Sequence, residues 1–170
     1  TQILTGANSF TGGTTLTEGK LELGAVNALG GDLVVDGGTL DLTTNNNASG
    51  AISYASGSIT GASGVLSAST LTVTNAGALS LDAILGGTSA LVKNGAATLT
   101  LNSISTFTGG TTLNTGTLAL GGANRLRTTG ALTQNAGVFD LGGFDQQLGT
   151  LTLVDGTIQN GNLSVTTLGL

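Results

Sequence analysis

Several residue types are missing from this 170-residue chain, and each absence excludes a class of chemistry. Without cysteine the chain can form no disulfide, no cysteine-based metal centre and no cysteine nucleophile. Without histidine it cannot assemble a Ser-His-Asp triad, and most zinc sites are excluded. Proline, which sheet interiors do not tolerate, is absent too. We therefore expect an all-β structural chain with no cofactor, no metal and no catalytic residue.

Charged and aromatic residues are scarce. Charged residues make up 8% of the chain, whereas an ordinary domain carries about 25%. Only four residues are basic (Lys20, Lys93, Arg125 and Arg127), and the net charge of −5 argues against nucleic acid as a partner. No apolar run approaches the roughly 20 residues of a membrane span. The 39% hydrophobic content and modest charge argue against disorder. Because the first residue is threonine, we expect a segment of a longer protein.

Glycine, by contrast, is abundant, and its spacing is the strongest signal in the sequence. Seven glycines, with Ala97 as an eighth member, recur every 19 to 21 residues. A period near 20 residues is typical of a solenoid. We predict that the seven form structural corners between strands, where glycine accepts a positive φ: Gly19, Gly38, Gly57, Gly77, Gly116, Gly137 and Gly156.

A large apolar residue follows each corner by two positions and starts a strand whose apolar and polar residues alternate. Alternation with period two places one face of each strand in the core. We predict that these apolar residues stack from coil to coil as a structural ladder: Leu21, Leu40, Ile59, Leu79, Leu99, Leu118, Phe139 and Ile158. Together the corners and the ladder predict a parallel β-helix of about eight coils, each of about 20 residues.

An antiparallel meander or sandwich is the alternative architecture. Asn94-Gly95 and Asp155-Gly156 are dipeptides that occur in hairpin turns. A meander, however, has no reason to keep one period and one set of inward positions through eight units. The parallel β-helix is therefore favoured.

A longer repeat is superimposed on the short one. Residues 9–61 resemble residues 106–161 at an offset of 97, which becomes 99 after a two-residue insertion. This predicts a single β-solenoid segment over residues 1–170, made by tandem duplication. The unequal steps mark loops, for which the best candidates are residues 43–50, 61–69 and 142–147.

Particular motifs point to a known family. Phe-Thr-Gly-Gly-Thr-Thr occurs at residues 10–15 and again at 107–112, and the segments 5–15, 95–101 and 115–121 extend the match. These stretches resemble the passenger-associated transport repeat of bacterial autotransporters. The resemblance implies a right-handed β-helix, an extracellular or cell-surface location in a Gram-negative-type bacterium, and a role in export and in displaying adhesive or enzymatic regions.

Glu22 and Asp41 are the strongest candidates for a chemical site. They occupy the same position on adjacent coils, so their side chains could lie about 5 Å apart, near the separation of a retaining glycosidase pair. A Ca²⁺ site is the second interpretation, because Ca²⁺ takes several oxygen ligands. A solvated acidic patch is the third, and it is favoured, since nothing else in the sequence completes an active site.

The expected function is a non-catalytic, extracellular stalk or adhesin shaft. Its expected partners are the neighbouring coils of the parent chain and an unidentified surface ligand. A self-assembling filament, formed by end-to-end stacking of copies, is the alternative. A polysaccharide-active enzyme is the third hypothesis.

Overall fold

The computed structural model describes residues 1–170 and contains strands but no helix. It is a parallel β-solenoid of about nine coils with about 19 residues each, close to the predicted eight. No segment has the helical length and hydropathy of a membrane span. The strands are β1 Gln2–Leu4, β2 Thr14–Leu16, β3 Lys20–Leu23, β4 Leu33–Asp41, β5 Asn47–Ala48, β6 Ala51–Thr60, β7 Val65–Ser67, β8 Thr70–Val73, β9 Leu79–Leu81, β10 Ile84–Gly86, β11 Ala90–Lys93, β12 Thr98–Leu101, β13 Thr111–Leu113, β14 Thr117–Leu120, β15 Ala131–Gln134, β16 Val138–Asp140, β17 Asp145–Leu153, β18 Thr157–Gln159 and β19 Asn162–Gly169.

Every strand pairing is parallel, which rules out the meander. A strand pairs with the equivalent strand one coil away, as β12 does with β9 and β14. The long strands β4 and β6 run through a corner and so join two faces into one 16-stranded sheet. Strands β5, β7 and β10 form a separate three-stranded sheet.

The core is a continuous interior of 32 buried hydrophobic residues. Alternation explains it, since inward side chains of successive coils stack about 4.8 Å apart. Of the ladder residues, Leu79 and Ile158 are only partly buried and pack against the core, and the others are buried. The ladder runs in register from Leu21 through Leu40 to Ile59. It runs in register again from Leu79 to Ile158.

Between these two parts the predicted alignment is wrong by two residues. Ile59 pairs with Leu81, whereas the corner spacing predicts Leu79. A shift of two residues keeps the inward parity of a strand, so the core stays apolar and the sequence pattern does not reveal the shift. The structure therefore corrects the position of Leu79 and of the corner before it, Gly77.

The predicted corners differ in backbone conformation. Six predicted corner glycines have φ between +61° and +107°: Gly19, Gly38, Gly57, Gly116, Gly137 and Gly156. The seventh, Gly77, is not in this left-handed region, and neither is Ala97. A positive φ is therefore found at six of the eight corners, and the two exceptions lie on adjacent coils. Gly77 lies at the corner between β8 and β9, but without the positive φ that the sequence predicts for it.

Candidate functional site

The predicted acidic pair lies in register on β3 and β4, where Glu22 is opposite Asp41. The ammonium group of Lys20 sits with them. Its Nζ is 2.8 Å from Asp41 Oδ2 and 3.1 Å from Glu22 Oε2. Hydrogen bonds to Asp41 and Glu22 raise the pKa of Lys20. Hydrogen bonds from Lys20 and from the Thr43 backbone N–H lower the pKa of Asp41.

This electrostatic arrangement suits neither the acid/base dyad nor the Ca²⁺ site. A general acid at neutral pH needs a carboxyl pKa raised by its surroundings, and the pKa of Asp41 moves the other way. The Lys20 ammonium forms an ion pair with each carboxylate and offsets one of their two negative charges. No group of three or more acidic, histidine or cysteine side chains could hold a metal ion. The geometry favours the third interpretation, now with Lys20 as part of an ion-paired surface patch.

A row of polar side chains inside the solenoid was missed by the sequence analysis. Register places one position of each coil in a single inward row: Val35, Tyr54, Val73, Lys93, Leu113, Gln134 and Leu153. Every second member is polar, and Tyr54, Lys93 and Gln134 are each fully buried. The signal was present in the sequence, because alternation places Lys93 on the same face as the buried Leu91.

Each polar member supplies a hydrogen-bond donor to corner carbonyls of its own coil and the next. Gln134 Nε2 donates to Gly137 O at 3.1 Å and to Thr157 O at 3.0 Å. The Tyr54 hydroxyl lies 3.2 Å from Gly57 O and 2.9 Å from Ser80 O. Corner carbonyls need such donors because the two faces separate there and buried carbonyls must be paired.

Asn75 and Lys93 donate equivalent hydrogen bonds in the coils that lie between those of Tyr54 and Gln134. Asn75 Nδ2 donates to Gly77 O at 2.7 Å and to Thr98 O at 2.9 Å. Lys93 Nζ donates to Gly95 O, and its second acceptor, Thr115 O, is 3.5 Å away. The interior polar atoms therefore have a structural role and form no pocket open to a substrate.

Burying the charged side chain of Lys93 destabilises the folded state. It is fully buried, and both ion pairs in the structure belong to Lys20, so no carboxylate compensates its charge. Burial accordingly lowers the pKa of Lys93 below its ordinary value of 10.5. Gln134 makes equivalent bonds two coils further on without a charge, so the charge is not needed for the structure.

We therefore expect Lys93→Gln to raise the free energy of unfolding near neutral pH by ~1–3 kcal/mol. The sign follows from proton linkage. Between the lowered pKa in the folded state and 10.5, the unfolded chain binds more protons, so wild-type stability increases with pH in that window. The variant should lose this increase, so its advantage should shrink toward pH 10.5. Thermal melts at a series of pH values measure both effects.

Lys20→Gln is the matched control for this prediction. It removes the same charge from an exposed ion pair, which solvent screens, and should leave stability unchanged or slightly lower. A Lys93→Gln chain that melts below the wild type at neutral pH, with the alkaline dependence intact, would contradict the argument.

One surface depression is a cleft of about 500 Å³ lined by residues 104–106, Asn124 and residues 126–128. It lies outside all three predicted loops. The sequence signal was the 21-residue step between Gly116 and Gly137, the longest in the chain, which contains both arginines. A second depression, of about 580 Å³, adjoins Lys20, and a third, of about 340 Å³, lies around Asn124, residues 145–147 and residues 162–164.

Comparisons with known proteins agree with the motifs. Residues 1–23, 18–42 and 91–120 match the passenger-associated transport repeat. A stretch of 127 residues, 72% of this chain, is 39% identical to the adhesin BmaC autotransporter of Brucella suis biovar 1 (strain 1330). The chain covers 3% of the length of that relative. No solved structure matches the chain.

Proposed function

Because this chain is a segment of an autotransporter passenger that carries passenger-associated transport repeats, we propose that it is a rigid, non-catalytic part of a cell-surface adhesin shaft. One observation carries the proposal: parallel pairing continues from coil to coil along the whole chain around one apolar interior. About nine coils at a spacing of 4.8 Å extend the axis by roughly 40 Å.

The contents of the interior support a mechanical role. Stacked coils gain stability from their neighbours, so a solenoid can be extended without a new core. The buried donors of Tyr54, Asn75 and Gln134 pair backbone carbonyls of successive coils, although the Asn75 Oδ1 and Gln134 Oε1 atoms are buried without a partner. Within the parent protein, the coils before and after this segment are its proposed partners. We place it on the outside of the cell, where it would hold a binding region away from the surface.

The non-catalytic part of the proposal rests on Glu22 and Asp41. Lys20 forms an ion pair with each of them, and the pKa of Asp41 is lowered, so Asp41 is not arranged as a proton donor at neutral pH. We expect the chain to release no reducing ends from a panel of acidic and neutral polysaccharides. Cleavage by the wild type that is lost in Glu22→Gln would support the enzyme hypothesis.

Negative-stain microscopy of the chain over a concentration series, together with limited proteolysis, tests whether the chain forms a rigid shaft. We expect short discrete rods whose strands resist cleavage, because backbone groups paired on both sides are poor protease substrates. Filaments that lengthen with concentration would favour the self-assembling alternative. Rapid digestion throughout the coils would contradict a rigid shaft.

A further inference from the structure

The free positive charge of this chain is concentrated at one place. Of its four basic residues, Lys20 is paired with Glu22 and Asp41, and Lys93 is buried in the core. The remaining two, Arg125 and Arg127, lie in the loop between β14 and β15, and neither forms an ion pair. The Nε–H of Arg125 is buried and has no acceptor in the protein. In a chain of net charge −5, this loop is where an anion is least repelled.

The first copy of the internal repeat shows that the loop does not need these arginines to fold. At the offset of 97, Asn27 corresponds to Asn124, and both have a positive φ near +50° (+53° and +50°). Asn27 Oδ1 accepts a hydrogen bond from Ala48 N at 3.1 Å, and Asn124 Oδ1 accepts one from Gln147 N at 3.0 Å.

The next residues repeat the scaffold as well. Leu29 N donates to the side chain of Asn47, and Leu126 N donates to the side chain of Gln146. Both leucines are 2% exposed. Ala28 and Gly30 of the first copy occupy the positions of Arg125 and Arg127. The same turn is thus built without charge, and the arginines are an addition to it.

The cleft of about 500 Å³ adjoins the loop that carries these arginines, and Arg127 is part of its lining. Arg127, which is exposed, and Ile104, which is 56% exposed and gives an apolar surface, both line it. Thr106 and Thr128 line it with hydroxyl groups, and the Asn124 Nδ2 amide has no acceptor in the protein. A cation, hydroxyls, a free amide and an apolar surface in one cleft form a binding surface of mixed character.

We infer that this cleft binds a saccharide that carries a carboxylate. Arg127 can hold a carboxylate with two parallel hydrogen bonds, the threonine hydroxyls and the Asn124 amide can bond sugar hydroxyls, and Ile104 can contact the apolar face of a sugar ring. This binding function goes beyond the shaft role and does not depend on it.

Part of the backbone that lines the cleft is already paired, which limits strand addition by an extended peptide. Ser105 N donates to Arg125 O and Thr106 N donates to Leu85 O, each at 2.9 Å. Leu126 N donates to the Gln146 side chain at 3.1 Å. These three N–H groups are therefore not available for strand addition.

Isothermal calorimetry of the chain with three carboxylated probes tests the inference: a hyaluronan hexasaccharide, an oligogalacturonate and 3′-sialyllactose. The neutral comparison is chitohexaose. We expect saturable binding of at least one carboxylated probe, weakened by added salt, and no comparable binding of chitohexaose. Arg127→Gly, which introduces the residue of the first copy, should weaken binding about tenfold or more.

Two further variants make the outcome decisive. Lys20→Gln makes the same change in net charge far along the axis and should leave the affinity unchanged. Arg127→Gln repeats the loss of charge without adding backbone freedom, so a folding defect in Arg127→Gly cannot decide the result. The inference is overturned if no carboxylated probe binds at millimolar concentration, if chitohexaose binds equally well, or if both Arg127 variants bind like the wild type.

Discussion

Replacing Leu40 with aspartate is expected to unfold the coils around it. Leu40 is fully buried between Leu21 and Ile59 in the ladder. The change removes an aliphatic side chain whose burial contributes about 1.5–3 kcal/mol. It also places a carboxylate where no basic group lies in the row, and burying an unpaired charge costs far more than burying a neutral polar group. The total loss should exceed ~4 kcal/mol, a large share of the stability of an ordinary domain.

Circular dichroism melts and hydrogen exchange measure this effect. Because each coil contacts only its neighbours, we expect protection to be lost first in the coils that contain Leu21, Leu40 and Ile59 and retained longer at a distance. Thr39→Asp is the matched control, since Thr39 lies on the outward face opposite Lys20 and Ser58. A melting curve for Leu40→Asp that overlays that of Thr39→Asp would contradict the ladder as the source of stability.

Gly57→Ala should be the second most damaging change. Gly57 has φ +87°, which costs an L-residue roughly 1–2 kcal/mol. A Cβ at this position would lie 2.5 Å from Gly38 O and 2.6 Å from the carbonyl carbon of Gly37. Both are backbone atoms of the preceding coil, so the strain can be relieved only by separating two coils. We expect a loss of more than ~2 kcal/mol, seen as a fall in melting temperature of about 5 °C or more.

Gly77→Ala provides the comparison from within the same series of corners. Gly77 has no positive φ, and a Cβ there would meet nothing within 4 Å. The substitution should be neutral or stabilise the fold by about 0.4–1 kcal/mol, because alanine restricts the unfolded chain. Equal losses for Gly57→Ala and Gly77→Ala would contradict the difference in backbone conformation between the two corners.

The sequence could predict the solenoid because its two signals are local. The period of about 20 residues places the corners, and alternation decides which side chains face inward. Alternation also predicts that Lys93 faces inward, because Lys93 is two residues after the buried Leu91 on the same strand. The sequence therefore contained the signal for this buried polar residue. The acidic pair of Glu22 and Asp41 was located correctly on adjacent strands. The contribution of Lys20 to that pair was not foreseen.

The sequence by itself determined the chemistry that is excluded, the repeat, the inward face of each strand and the parallel β-solenoid. Tertiary structure alone decided that Ile59 lies beside Leu81 and that the corner carbonyls are bonded by Tyr54, Asn75 and Gln134. It also decided that the loop with Arg127 borders a cleft. The physical reason is that parity is a property of one strand, whereas register, donor geometry and cleft shape depend on how far each loop displaces one coil against the next.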